Sequence, residues 1–110
     1  MKLQTRDENG VKVVYLEGEM DTVTSPQVLE ELDRLRNDGV KKILLNLEKL
    51  DFVSSAGLRV FLATAQQLKA SGGDLRVCML NKEIKEVFDI SGFSTLLMVF
   101  DNEAKGLAGM

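Results

Sequence analysis

Ile43-Leu44-Leu45-Asn46-Leu47 leads, through Glu48 to Leu50, into Asp51-Phe52-Val53-Ser54-Ser55-Ala56-Gly57-Leu58-Arg59-Val60-Phe61-Leu62. The first five residues are an almost unbroken apolar run, which fits a strand covered on both faces and central in a sheet. Leu58, Phe61, Leu62, Ala65 and Leu68 then recur at helical spacing, and the pattern stops before Ser71-Gly72-Gly73-Asp74. A buried strand, a crossing segment over Glu48 to Val53 and a helix form the first half of a βαβ unit. The junction carries two hydroxyls, on Ser54 and Ser55.

Working outward, residues 2–8 and 11–18 read as two strands joined through Glu8-Asn9-Gly10, because Asn-Gly tolerates the positive φ of a tight hairpin turn. Val11, Val13 and Tyr15 share one face of the second strand, and Val14 and Leu16 the other. Ser25 is the expected N-cap of a helix over 26–38, with Pro26 at its first position, an apolar stripe of Val28, Leu29, Leu32 and Leu35, a Glu30–Arg34 pair, and Gly39 as its stop. Beyond Gly73 come a buried strand at 75–80, a short helix capped by Asn81 and ended by Gly92, a strand from Leu96 to Phe100, and a terminal helix capped by Asp101. The expected order is β-β-α-β-α-β-α-β-α, without repeats or linkers. It defines a single α/β domain over residues 1–110, a mostly parallel mixed sheet with βα crossovers and an antiparallel N-terminal hairpin at its edge.

Composition narrows the function. The chain has 110 residues, 45% hydrophobic and 28% charged, with a net charge of −3 and its acids and bases interleaved. That balance offers no footprint for nucleic acid or an anionic membrane. No apolar run approaches a membrane span and the N-terminus has no signal core, so membrane insertion is not expected and the expected location is the cytoplasm. Cys78 is single, with no disulfide or metal spacing, and reads as a small core residue. The chain contains no histidine, which excludes a Ser-His-Asp triad. Neither a glycine-rich nucleotide fingerprint nor a metal-ligand motif occurs, so no enzyme, cofactor or metal is expected.

What remains is the serine pair. A helix start presents N–H groups without intrahelical partners and the positive end of the dipole, which favours a phosphate. A serine there is ordinarily only a cap, but one of two can cap while the other stays exposed. Asp21, before Thr22-Val23-Thr24-Ser25-Pro26, reads alone as a turn former or solvated acid. Phe88, Phe93, Met98 and Phe100 read as core.

Taken together, Gly18-Glu19-Met20-Asp21, Ile43 to Leu47 followed by Leu50, Ser54-Ser55-Ala56-Gly57-Leu58 and Val87-Phe88-Asp89-Ile90-Ser91-Gly92-Phe93 resemble the anti-sigma factor antagonists, the bacterial STAS-domain proteins, over nearly the whole chain. The resemblance implies a STAS-like fold and a partner switch. An unmodified antagonist binds an anti-sigma factor with serine kinase activity and frees the sigma factor; phosphorylation by that kinase switches it off, and a metal-dependent serine phosphatase resets it. It places the phosphoacceptor on Ser55, with Ser54 as the fallback, and the family's acidic loop residue on Asp21. The implied partner-binding residues are Asp21, Ser54, Ser55, Ala56, Gly57 and Arg59. Ser54 stands where an aspartate is frequent in the family, and Arg59 where glycine is common in the antagonists. The alternatives are a STAS adaptor subunit of a transport or sensory complex, in which Ser55 merely caps, and a nucleotide- or small-molecule-binding module using the same helix start.

Overall fold

A computed structural model describes residues 1–110. Strands β1 (Lys2–Glu8) and β2 (Val11–Met20) form the antiparallel hairpin, and its turn places Asn9 and Gly10 at φ of 49° and 83°. Helix α1 (Ser25–Asn37) crosses to β3 (Lys42–Asn46), and β4 (Leu50–Val53) leads into α2 (Ser55–Ala70). Next come β5 (Asp74–Cys78), α3 (Lys82–Ser91), the one-turn α4 (Phe93–Leu96), β6 (Met98–Phe100) and α5 (Glu103–Leu107). The sheet order is β1-β2-β3-β5-β6, with every pairing after the hairpin parallel. The expected α/β class, hairpin edge and central β3 are all present.

The main difference lies in the segment from Glu48 to Val53, which is not merely a crossing. β2 is long enough to carry two partners end to end: Lys12 to Tyr15 pair with Ile43 to Asn46 of β3, and Gly18 to Met20 pair with Leu50 to Val53 of β4. Between the two, the Asn46 Oδ1 accepts from the Glu48 N–H at 3.0 Å and turns the chain. A register shift at Gly18/Glu19, with Gly18 at φ 113°, bends β2 to match. The buried pattern of β4, inward at Leu50 and Val53 with Asp51 and Phe52 outward, does not alternate. Pairing with β2, not periodicity, makes it a strand.

The continuous apolar run of β3 has the expected cause. Ile43, Leu45 and Leu47 join the main core with Val14, Leu16 and the buried faces of α1, α2 and α3, while Leu44 packs on the opposite face with Val11, Val13 and Cys78. On that second face α5 closes the layer. A Cβ at Gly106 would lie 2.8 Å from a Leu44 methyl, so glycine lets α5 approach without displacing that side chain. Glu103 at the start of α5 accepts from Asn46 Nδ2 at 2.7 Å, Tyr15 Oη at 3.1 Å and Arg6 Nη2 at 2.6 Å. Burial alone would raise its carboxyl, but these donors outweigh burial and hold it below the usual glutamate value. Cys78 beneath this layer is buried, and desolvation pushes its thiol up to about 12. It is a protonated, inert core residue.

Several local expectations change, among them the strand expected over 75–80, which runs from Asp74 to Cys78. Ser25 is not the cap: its hydroxyl is buried without a partner, and its own N–H donates to the Asp21 carbonyl at 2.9 Å, because the preceding turn, not a side chain, starts α1. Arg34 pairs with Glu31 and, at 3.4 Å, with Asp38 instead of Glu30, since residues 31, 34 and 38 lie along one helical stripe and let one guanidinium serve two carboxylates. Leu96 belongs to α4, whose Phe93 stacks edge-on against Phe88 at 6.0 Å, so the last strand shortens to Met98–Phe100. Asn102, not Asp101, caps α5, its Oδ1 accepting from the Lys105 N–H at 2.9 Å. Of the four side chains read as core, Phe88 is buried and Phe93 and Phe100 half-buried, whereas Met98 is exposed on the edge strand β6.

Candidate functional site

β2 and β4 run parallel and end together, with Met20 opposite Val53, so the loops that follow them emerge side by side. One begins with Asp21 and the other with Ser54. The Ser54 N–H donates to the Met20 carbonyl at 2.8 Å, tying the second loop to the first. Ser54 then caps α2: its Oγ accepts from the Gly57 N–H at 3.2 Å and its carbonyl from the Leu58 N–H at 3.0 Å. Ser55 is the first residue of the helix and is exposed, and its hydroxyl has no hydrogen-bonding partner in the chain. The two hydroxyls have thus divided the possible roles between them, one fastened as a cap and one free.

The rest of the expected set falls around this point. Ala56 is half-buried behind Ser55, and Arg59 is exposed one turn along α2. Gly57 is buried and lets the helix start press onto the strand ends, since a Cβ there would meet Val53 Cγ2 at 2.8 Å and Met20 Cγ at 3.0 Å. Removing a helical glycine ordinarily gains about 1 kcal/mol in propensity. Here the contact reverses the sign. Gly57→Val is expected to destabilise the domain by about 1–3 kcal/mol through overpacking, read as a lower urea midpoint; an unchanged midpoint would refute the close approach.

Asp21 lies on the neighbouring loop, but its carboxylate is spent on that loop and not on the Ser55 hydroxyl. Oδ1 accepts from the N–H groups of Thr24 and Val23, both at 2.9 Å, and lies 3.1 Å from the Thr24 hydroxyl. The Thr24 N–H above all, helped by the Thr24 hydroxyl and the Val23 N–H, holds the carboxyl below the usual aspartate value. This Asx-type turn is the conformational role that aspartate plays so well. It also props Val23 outward, 82% exposed. Phe52, 47% exposed on β4 and in register with Glu19, is a second exposed apolar side chain, two residues before Ser54. Neither was singled out from the sequence. The available signal was an aromatic residue two positions before Ser54, but it becomes an exposed side chain only once β4 is known to pair.

No group of side chains in the chain is arranged to hold a metal ion. A cleft of about 440 Å³ on the sheet's other face is lined by Tyr15, Asn46, Glu103 and Met79 among others. Its deepest polar groups already bond one another, and it does not include the serine pair. No helix is long and apolar enough to cross a membrane.

The pairing of β2 with β4 thus brings to one edge of the sheet a helix start capped by Ser54, a serine without an intrachain partner and the loop of Asp21. The STAS domain profile matches residues 2–106, and the chain belongs to that family. A Bordetella bronchiseptica protein, BtrV, that carries the name of an anti-sigma factor antagonist is 35% identical, covering 98% of this chain and 93% of the relative. The anti-sigma F factor antagonist of Paenibacillus polymyxa is 31% identical over 97% of this chain and 92% of its own length. Among solved structures, the Bacillus cell fate determinant SpoIIAA in its phosphorylated form superimposes with a TM-score of 0.72 at 24% identity, covering 94% of this chain and 96% of that one. That likeness is one of fold.

Proposed function

We propose that this chain is an anti-sigma factor antagonist that works as a phosphorylation-controlled switch. Unmodified, it captures an anti-sigma factor with serine kinase activity and so frees a sigma factor in the cytoplasm. Phosphorylation of Ser55 ends the capture, and a serine phosphatase restores it. The catalysis and the nucleotide belong to those partners, and the chain itself is substrate and ligand. The observation that carries this reading is the uncommitted, exposed Ser55 hydroxyl on a helix start that Ser54 already caps. The names borne by the Bordetella and Paenibacillus relatives support the class of partner, and the phosphorylated state of the Bacillus neighbour supports a covalent phosphate on such a fold.

Affinity capture from the native cell with Ser55→Ala as bait tests it. The expected catch is a protein of the anti-sigma type that phosphorylates the wild type and leaves Ser55→Ala unmodified. Full phosphorylation of Ser55→Ala by the captured kinase would move the acceptor to Ser54, and capture of no kinase at all would overturn the reading.

A further inference from the structure

Arg59 is an arginine of α2 that the unmodified chain leaves uncommitted. It is the fifth residue of α2, one turn beyond the helix start. α2 contains no Asp or Glu that could offset it. The other exposed arginines, Arg6 and Arg34, each hold a carboxylate, whereas Arg59 takes part in none of the chain's ion pairs. It is exposed, and it follows Ser55 by four residues, the spacing that brings two side chains together on one helical face.

We propose that Arg59 is a built-in clamp for a phosphate on Ser55, closing over the modified serine from one turn along the same helix. The proposal rests on the reading of Ser55 as phosphoacceptor and adds the group that answers the phosphate. The N–H groups of Ser55 and Ala56, which take none of the hydrogen bonds made outside the regular elements, meet the phosphate from the helix end. Arg59 donates from the side in the forked geometry that suits phosphate oxygens. The acids toward the same ends of the flanking strands, Glu19, Asp21 and Asp51, oppose the phosphate, and Asp21 is already turned into its own loop. The switch therefore changes two features at once: it adds a dianion, and it withdraws from the surface an arginine that was free to contact a partner.

The test uses the full chain with phosphoserine incorporated at position 55 during translation, so that no kinase is needed. The second ionisation of the phosphate is followed by ³¹P NMR in the wild type, Arg59→Gln and Arg59→Lys. At low salt the wild-type midpoint is expected to lie about 0.2–0.4 pH unit below that of Arg59→Gln. Arg59→Lys should recover part of the shift as a point charge, and about 1 M salt should collapse it. Coincident titrations of the wild type and Arg59→Gln would overturn the clamp while leaving Ser55 as acceptor. Failure of the captured kinase to modify Ser55 would instead remove the reading beneath it without altering the titration.

Discussion

Phosphorylation of Ser55 is expected to weaken binding of the anti-sigma partner by about a hundredfold or more, which requires only about 2.7 kcal/mol. The modification adds about −1.5 to −2 charges and three acceptor oxygens at one exposed point. The domain itself tolerates this, because a helix start favours negative charge and Ser54, not Ser55, carries the cap. The cost falls on the partner, which meets a dianion at an exposed point where the unmodified chain offers a neutral hydroxyl. Ser55→Asp places one charge on a shorter side chain, so a loss of about tenfold, or ~1.4 kcal/mol, is expected. Ser55→Ala removes no intrachain bond and should bind as the unmodified protein does. Titration calorimetry on the purified pair decides the matter, and a phosphorylated protein binding within about twofold of the unmodified one would sink the switch. Thermal unfolding of the same samples should be nearly superimposable, since the effect lies in recognition and not in folding.

Phe61→Ala is expected to cost about 3–5 kcal/mol of stability, the range for emptying a fully buried aromatic site. Phe61 is completely buried on α2, with its ring 6.3 Å from that of Phe88, which in turn meets Phe93. Phe61 and Phe88 lie inside the main core and Phe93 packs against it, so the row ties α2 to α3 and α4 and a close-packed interior surrounds the cavity. Against a total stability of about 5–15 kcal/mol, the loss places the variant near the edge of folding. Urea unfolding should show a lower midpoint at similar slope. Phe61→Leu, which keeps most of the volume, should lose less than about half as much. A Phe61→Ala loss below about 1 kcal/mol would mean that the ring row is not a structural unit. The two variants also separate fold from function: Phe61→Ala lowers binding only by depleting folded protein, whereas Ser55→Asp lowers it in a folded one.

Signals that act over a few residues were readable in advance. Asn9-Gly10 forces the hairpin, Asn81 caps α3 through the Ile84 N–H at 2.9 Å, and Gly92 ends it at φ 79°, each through backbone geometry confined to one turn. The spacing of Leu58, Phe61, Ala65 and Leu68 located α2, because a core-facing helix writes its period into the chain. Readings that required a distant partner went astray. Ser25 looks like a cap until the Asp21 turn supplies the helix start, and Leu50 to Val53 look like a crossing until the second half of β2 lies beside them. By itself, then, the sequence determined that Ser54 and Ser55 stand at a strand–helix junction in an α/β domain, since periodicity and capping chemistry are local. Which hydroxyl is free, and that the loop of Asp21 emerges beside it, came only with the three-dimensional pairing of β2 and β4. β4 exists through its pairing with β2, and that pairing is what brings two loops, separate in the chain, to one edge of the sheet.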